Sequence, residues 1–168
     1  MSKHITYLLD CYIVRSRNYE ILKHADLLCD VGGIFDPSNL RYDHHMKDFN
    51  EVFENVKKIK MSSAGLVYKY HGKEIIRNIL THLKLWEDNE KHLDFIFNKL
   101  YENLICYVDA VDNGISQYPS NISPLYLNNT HYASRIARTN PDWIEDNPDF
   151  VTTFRKGLTI AEDEFNSQ

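Results

Sequence analysis

The sequence predicts an α/β fold, in which helices flank a parallel sheet and the second half of the chain is rich in helix. Short, largely apolar runs at residues 11–14 and 25–31 have the composition of strands. The second run does not alternate and follows a helix, which is typical of a buried parallel strand. From residue 62 onward, apolar residues recur at intervals of three and four, which indicates helices.

The first half is predicted to hold short elements joined by turns. Asn18 can cap a short helix at residues 19–23, because its side chain can accept a hydrogen bond from the first helical turn. Gly32 and Gly33 are expected to end the second strand. Residues 34–45 are expected to be rich in loop, with a turn signal at residues 36–39.

The second half is predicted to consist of helices and their connections. Ser62 or Ser63 is the expected N-cap of the first helix, and Gly72 is expected to break or kink that helix. The apolar stripe over residues 93–111 is the clearest helical signal, and Gly114 suits the position just beyond its end. Shorter helices are expected near residues 132–138 and 149–164.

The composition is that of an ordinary globular protein. The 168 residues are 43% hydrophobic and 26% charged, which fits one domain and argues against general disorder. The formal net charge of −5 argues against a strong non-specific nucleic-acid binder, and no apolar stretch is long enough to cross a membrane. Three widely spaced cysteines form no disulfide framework, and no targeting signal is visible. An intracellular location is therefore expected.

The segment from Arg41 to His45 carries the strongest local signal for chemistry. Asp43, His44 and His45 supply one hard oxygen ligand and two imidazoles in three consecutive residues. This donor set suits Mn²⁺, Fe²⁺ or Zn²⁺. An isolated triplet of this kind is more often ordinary loop polarity, so it needs support from elsewhere in the chain.

Three further acidic residues are candidates for the same site. Asp30 follows the second predicted strand, at the end where parallel sheets bind ligands; a carboxylate that caps a loop is the alternative. Asp109 and Asp112 lie three residues apart near the end of the long helix, and hence on one face. Negative charge there opposes the helix dipole, at a cost of about 0.3–1 kcal/mol per residue. Solvent exposure could account for this pair, but four converging carboxylates would need protons or cations between them.

Five motifs follow one another along the chain. They are residues 30–33 (Asp-Val-Gly-Gly), 36–37 (Asp-Pro), 41–45 (Arg-Tyr-Asp-His-His), 62–68 (Ser-Ser-Ala-Gly-Leu-Val-Tyr) and 109–117 (Asp-Ala-Val-Asp-Asn-Gly-Ile-Ser-Gln). In this order they resemble the melanocyte-proliferating-gene family of DHH-type metal-dependent phosphoesterases. Residues 140–143 and the closing Glu164 and Phe165 match the same family.

The resemblance implies a parallel α/β domain that holds Mn²⁺, with two ions expected for the family and Mg²⁺ or Zn²⁺ as alternatives. It also implies metal-dependent hydrolysis of a phosphodiester by metal-activated water. The implied substrate is single-stranded RNA or a short oligonucleotide, cleaved in the 3′-to-5′ direction. The eukaryotic members are described as exonucleases of the nucleus and the mitochondrion, so those locations are implied as well.

The resemblance assigns roles to individual residues near the predicted metal. Asp30, His44 and Asp112 are the implied metal ligands, with Asp109 as a further partner. His45 is implied to face the phosphate or the leaving group.

Two other residues of the same segment are implied to assist. Asp43 is implied to orient a histidine from behind. Arg41 is a candidate to hold a phosphate, and an ion pair with a nearby carboxylate is an equal alternative.

Substrate contacts are predicted at two places outside this segment. Ser62 and Ser63 stand at a helix N-terminus, which favours anions, although N-capping accounts for at least one of them. Arg135 and Arg138 form a small basic face on a short helix, which could guide a nucleic-acid backbone; an ordinary solvated face is the alternative.

The chain departs from the family pattern at both ends. The family opens with a His-Asn-Gly-x-Phe-His-Cys-Asp-Glu motif that supplies metal ligands and is expected well upstream of Tyr12. The eleven residues before Tyr12 do not fit this motif; His4 and Asp10 are the sole candidates among them, and their neighbours do not match. The C-terminal half of the family is missing as well. Residues 1–168 are therefore expected to be a single, partial domain that holds one ion or none.

This departure leaves other functions open. One alternative is an inactive domain that binds a metal, a nucleotide or another protein. Another is a hydrolase of a small phosphorylated metabolite. A missing first strand would leave an open sheet edge, so a homodimer is also an expectation.

Overall fold

The structure is a computed structural model, and it describes residues 12–53 and 59–168. Helices dominate the described ranges, and three short strands lie near their beginning. The helices are α1 (Tyr19–Leu22), α2 (Ser63–His82), α3 (Glu90–Leu100), α4 (Cys106–Asp112), α5 (Tyr132–Ala137) and α6 (Phe150–Ser167), and the strands are β1 (Leu28–Cys29), β2 (Phe35–Asp36) and β3 (Arg41–Tyr42). A 3₁₀ turn (Pro37–Asn39) joins β2 to β3, and a π-helical turn (Tyr101–Ile105) joins α3 to α4.

The small sheet is mixed, with the strand order β1-β3-β2. Strand β1 pairs with β3 in parallel, with Leu28 opposite Arg41. Strand β2 pairs with β3 in the antiparallel sense, with Phe35 opposite Tyr42. Only residues 37–40 separate β2 from β3, and this connection is too short for the crossover that parallel pairing requires. The predicted α/β class is confirmed, whereas the described strands do not form the wholly parallel sheet that was predicted.

The predicted elements of the first half are only partly found. Residues 12–14 are exposed and lie outside any strand, so the strand predicted at 11–14 is wrong over its described part; Cys11 lies outside the described residues. The second predicted strand shortens to β1, and the predicted loop contains both β2 and β3. Helix α1 is confirmed, and its cap is Asn18, whose Oδ1 accepts a hydrogen bond from the Glu20 amide.

The helices of the second half agree better with the sequence. Ser62 is the N-cap of α2. The helix passes through Gly72 without the predicted break. This glycine instead allows close packing against α3, since a Cβ there would lie 2.8 Å from Cε2 of Phe97. The apolar stripe runs through α3, the π-helical turn and α4. Gly114 follows with φ of +66°, as its predicted position beyond the helix end requires.

The chain divides into two compact units, Met1–Ile115 and Ser116–Gln168. The core of the first unit is aromatic. The Phe53 and Tyr101 rings stack with centroids 3.6 Å apart, and the Tyr68 and Phe97 rings stack at 4.8 Å. The Tyr68 hydroxyl also donates to the carbonyl oxygen of Phe97 at 2.8 Å. This core fastens α2 to α3 and to the π-helical turn.

The second unit consists mainly of α5 and α6, near the positions predicted for them. Helix α5 contacts α6, and Gly157 is the one buried residue in this unit, all of which the structure describes. Many of its large apolar side chains are exposed; they include Leu125, Tyr126, Leu127, Trp143 and Ile144. In the described parts of the chain, no helix has both the length and the apolar character needed to cross a membrane.

Candidate metal centre

Four side chains in the first unit converge on one small region. Asp30, Asp43, His44 and His45 each offer one ligand atom, and these four atoms all lie within 4.8 Å of one another. Asp43 and His44 are buried, whereas the side chains of Asp30 and His45 are 59% and 61% exposed. The cluster therefore has a buried side and a side open to solvent.

The parallel pairing of β1 and β3 accounts for this convergence. Asp30 directly follows β1 and Asp43 directly follows β3, so both acids leave the sheet at the same edge. The amide of Asp30 donates to the carbonyl oxygen of Tyr42 at 3.0 Å, which extends the pairing by one step. The Asp30 backbone has φ of +65°, a left-handed conformation that a residue other than glycine adopts only at a cost.

Asp43 is held by hydrogen bonds to both of its oxygens. Oδ2 accepts from the Gly33 amide at 2.6 Å, and Oδ1 accepts from the amides of His44 and His45 at 2.8 and 3.2 Å. Oδ1 also lies 2.6 Å from Nδ1 of His45. Burial alone would raise the pKa of Asp43, but these hydrogen bonds outweigh it and hold the pKa below its ordinary value. Asp43 is therefore a charged anchor for the segment around it.

The His45 ring is hydrogen-bonded to Asp43 and faces solvent. The hydrogen bond to Asp43 raises the pKa of His45 above its ordinary value, and the charges of Asp30 and Asp112 act in the same direction. A raised pKa increases the fraction of imidazolium near neutral pH. His45 can therefore present a positive charge and a proton at the open side of the cluster.

His44 is buried and has a polar neighbour at each ring nitrogen. Its Nδ1 accepts from the Ser63 amide at 3.2 Å and lies 2.9 Å from Ser63 Oγ. Its Nε2 lies 3.1 Å from Oδ2 of Asp112. The Ser63 hydroxyl donates to Oδ1 of Asp30 at 3.3 Å, so Ser63 links His44 to Asp30. Asp112 thus adjoins the cluster through His44.

Asp109 lies apart from the four clustered side chains and is fully buried. Its Oδ1 accepts from the amide and the hydroxyl of Ser62 at 2.9 and 2.7 Å, and its Oδ2 accepts from the Tyr101 hydroxyl at 2.9 Å. Burial raises the pKa of Asp109, although these hydrogen bonds oppose the shift. Burial and the Asp109 charge also raise the pKa of Tyr101.

The other predicted site residues have partners within the protein. Arg41 donates from its guanidinium to the main-chain oxygens of Ala25 and Asp26, each at 3.0 Å. Neither the predicted phosphate nor a carboxylate is needed to account for its position. Ser62 is buried between Asp109 and the Gly65 amide, so it contacts protein groups.

The two predicted basic residues belong to the second unit. Arg135 forms an ion pair with Oε2 of Glu164 at 2.8 Å, and Arg138 donates to the main-chain oxygen of Asn129. Both side chains belong to exposed residues.

Tyr101 and Gly65 are functional candidates that the sequence analysis missed. Tyr101 stands eight residues before Asp109, and residues spaced by seven or eight fall on one face of a helix. That spacing is a signal that could have linked the phenol to the acid. Gly65 has no comparable signal in the sequence, because the need for a glycine there arises from close contact with Asp109 on a helix distant in sequence.

The donor set fits a divalent cation. Two carboxylates and two imidazoles suit Mn²⁺, Fe²⁺ or Zn²⁺, and one side of the cluster is accessible to solvent. Asp43 is the least available of the four, because it already accepts four hydrogen bonds. The α/β fold and this cluster therefore describe a candidate metal-binding protein.

Comparison with known proteins places the chain in a family. The sequence profile named MYG1_exonuc, described as "Uncharacterised protein family (UPF0160)", matches residues 1–168. The chain belongs to this family. The resemblance inferred from the ordered motifs is thereby confirmed.

Curated relatives match over most of this chain. The chain is 38% identical over 158 residues to "MYG1 exonuclease" of Mus musculus, a match that covers 91% of this chain and 40% of the mouse protein. It is 35% identical over 161 residues to "MYG1 exonuclease" of Homo sapiens, covering 93% and 42%. It is 35% identical over 153 residues to "MYG1 protein" of Dictyostelium discoideum, covering 90% and 45%. The chain thus spans less than half the length of these relatives, and no solved structure matches it.

Proposed function

We propose that this chain carries the metal centre of a phosphodiester hydrolase, a 3′-to-5′ exonuclease that acts on single-stranded RNA with Mn²⁺. The observation that carries the proposal is the convergence of Asp30, Asp43, His44 and His45 within 4.8 Å. The names of the mouse and human relatives support a nucleic-acid substrate. RNA, the direction of cleavage and Mn²⁺ come from the family resemblance.

Asp30, His44 and Asp112 are the residues that we assign to hold the cation. When bound, a divalent cation lowers the pKa of water and neutralises charge that develops on a phosphate. The Nε2 atom of His44 can bind a cation only if the ring proton is on Nδ1. In the structure Nδ1 accepts from the Ser63 amide, so a cation at Nε2 would require the ring proton to move to Nδ1 and that amide contact to be given up. Ser63 Oγ, 2.9 Å away, would then accept the proton in a hydrogen bond, while its own hydroxyl proton points to Asp30.

His45 and Asp43 are the residues that we assign to the substrate side. The raised pKa of His45 favours an imidazolium, which can bind a phosphate oxygen or donate a proton to the leaving oxygen. Asp43 orients the ring through Nδ1 and supports its charge. Ser63 supports the ligands, and Arg135 and Arg138 are kept as candidates for contacts with the RNA backbone.

The metal centre is tested by titrating Mn²⁺ into the full chain in a calorimeter. We expect the wild type to bind one ion and His44→Ala to lose it. His82→Ala is the matched control, because His82 lies at the far end of the 20-residue helix α2, about 30 Å from its N-terminus. Wild-type protein that binds no Mn²⁺ would contradict the proposal and favour the inactive-domain alternative.

The substrate class is tested with end-labelled oligonucleotides in Mn²⁺. We expect single-stranded RNA to be shortened stepwise from its 3′ end, and His45→Gln to slow this without abolishing Mn²⁺ binding. Hydrolysis limited to dinucleotides or small phosphorylated compounds would instead favour the metabolite alternative. A homodimer and a nuclear or mitochondrial location stay predictions, for sedimentation and for imaging of the tagged protein.

A further inference from the structure

We propose that Asp109 is a positioning residue, which holds the N-terminus of α2 in place and thereby sets the orientation of His44. The inference rests on the proposed metal centre and adds to it a residue that touches neither metal nor substrate. Asp109 belongs to α4, and its hydrogen bonds to Ser62 connect this helix to the start of α2.

The Asp109 carboxylate is a fully buried acceptor for the start of α2. It accepts from the Ser62 amide at 2.9 Å and from the Ser62 hydroxyl at 2.7 Å. The same hydroxyl accepts from the Gly65 amide at 3.2 Å, which caps the helix. The Tyr101 hydroxyl, at 2.9 Å from the other carboxylate oxygen, holds the carboxylate from behind. The first turn of α2 is therefore fixed against α4 at a defined position.

Ser63, the residue after Ser62, connects the start of α2 to His44. Ser63 contacts Nδ1 of His44 twice, through its amide at 3.2 Å and through its hydroxyl at 2.9 Å. Any shift of Ser62 shifts these two contacts, because the two serines are adjacent in the chain. The ring of His44 depends on them for its orientation, since Ser63 provides both hydrogen-bonding groups on its Nδ1 side.

The other side of His44 is tied to the same helix. Asp112, one turn beyond Asp109 on α4, lies 3.1 Å from Nε2 of His44. The Asn113 side chain donates to the main-chain oxygens of Lys60 and Asp109, each at 2.9 Å, and so fastens the end of α4 to the segment before α2. Both ring nitrogens of His44 thus face groups whose separation is set where α4 meets the start of α2, at Asp109 and at Asn113.

The test compares variants of Asp109 in the full chain. Asp109→Ala removes the acceptor, whereas Asp109→Asn keeps an oxygen for Ser62. We expect Asp109→Ala to weaken Mn²⁺ binding by about ten-fold or more, as loss of a group that orients a ligand does. Asp109→Asn should recover most of the affinity. Ser62→Ala, which keeps the amide contact, serves if Asp109→Ala does not fold, and should weaken binding by a smaller factor.

Tyr68→Phe is the matched control for general loss of stability. It removes a buried hydrogen bond between α2 and α3 and leaves the contacts of Ser62, Ser63 and Asp109 in place. We expect it to lower the unfolding midpoint without changing Mn²⁺ affinity. Equal affinities in wild type, Asp109→Ala and Ser62→Ala would overturn the proposal.

A second measurement is independent of the metal. The ¹⁵N chemical shifts of the His44 ring in metal-free protein report which nitrogen carries the proton. We expect Asp109→Ala, or Ser62→Ala in its place, to change these shifts, and Tyr68→Phe to leave them unchanged. Unchanged shifts in the site variants would contradict the positioning role. Wild-type protein that binds no Mn²⁺ would overturn the proposed function alone, because the ring shifts still decide the positioning role.

Discussion

Gly65 lies against the carboxylate of Asp109 so closely that a Cβ atom at this position would come within 2.2 Å of Oδ1 and 2.6 Å of Oδ2. The glycine therefore allows α2 and α4 to approach each other at the point where Asp109 binds the N-cap residue of α2. A side chain there would displace the carboxylate from Ser62 or push the helices apart.

Gly65→Ala is expected to destabilise the protein by about 1–3 kcal/mol, because the Asp109 carboxylate is fully buried and is held on both oxygens by Ser62 and Tyr101. Gly157→Ala, in the interior of α6, is the matched control: its Cβ would meet Oγ1 of Thr139 at 3.4 Å and Cγ2 of Ile136 at 3.7 Å, which are ordinary van der Waals distances. The control should be neutral or stabilising by up to about 1 kcal/mol. Urea unfolding of both variants measures the difference, and equal stability of Gly65→Ala and wild type would contradict the close contact.

Arg41→Lys is expected to reduce stability by about 1 kcal/mol, because lysine cannot reproduce the paired hydrogen bonds to the carbonyl oxygens of residues 25 and 26. Mn²⁺ affinity should not change. Arg77→Lys provides a comparison, since Arg77 forms an exposed ion pair with Glu90 and should matter less. If Arg41→Lys instead unfolds like wild type but binds oligonucleotide more weakly, the sequence-based phosphate contact is the better assignment.

The hydrogen bond between His45 and Asp43 is expected to stabilise the protein most at mildly acidic pH. The lowered pKa of Asp43 contributes stability above its ordinary value of 3.8, which is lost as the pH falls through the folded pKa. The raised pKa of His45 contributes stability that is complete below its ordinary value of 6.5, and lost as the pH rises through the folded pKa. The pair therefore contributes most between these two ordinary values.

His45→Gln is the variant that measures this contribution. The stability difference from wild type should be largest between the two ordinary pKa values and should shrink on both sides, in urea unfolding from about pH 3 to about pH 9. His24→Gln, at an exposed position after α1, is the control for removal of a histidine outside the cluster. A difference for His45→Gln that does not depend on pH would be inconsistent with a charged pair.

Glu164→Gln is expected to strengthen binding of single-stranded RNA at low salt if Arg135 contacts the backbone, because it releases the guanidinium from its ion pair. The stability cost should be at most about 1 kcal/mol for this exposed pair. Fluorescence anisotropy with a labelled RNA measures the affinity. Glu162→Gln removes the same charge from the same helix without a pair to Arg135, so equal gains in both variants would indicate only a change in net charge.

Local sequence signals predicted the helices of this protein well. Asn18 and Ser62 each cap the first turn of the helix that follows them, as predicted, and capping depends on groups only two or three residues apart. The candidate centre was also accessible to sequence reasoning, because Asp43, His44 and His45 are consecutive and need no long-range packing to come together.

The sheet, and the strand-like run at residues 11–14, were harder to predict. A strand is stable only when it pairs with a neighbouring strand. The apolar composition of residues 11–14 predicts a strand, but it does not reveal whether a partner strand is available, and residues 12–14 pair with none of the described strands. The direction of β2 follows from the short turn before β3. The turn signal at residues 36–39 was visible in the sequence, but nothing marked the residues on either side of it as strands.

Asp109 and Asp112 show most clearly where local information ends. Their spacing of three residues places both on one face of a helix, and it made both of them candidates for the metal. Packing of α4 against α2 and the π-helical turn places Asp109 against Ser62 and Tyr101 in the interior, while Asp112 stays half-exposed beside His44. Spacing assigns a residue to a face, but the side chains that meet that face come from segments distant in sequence.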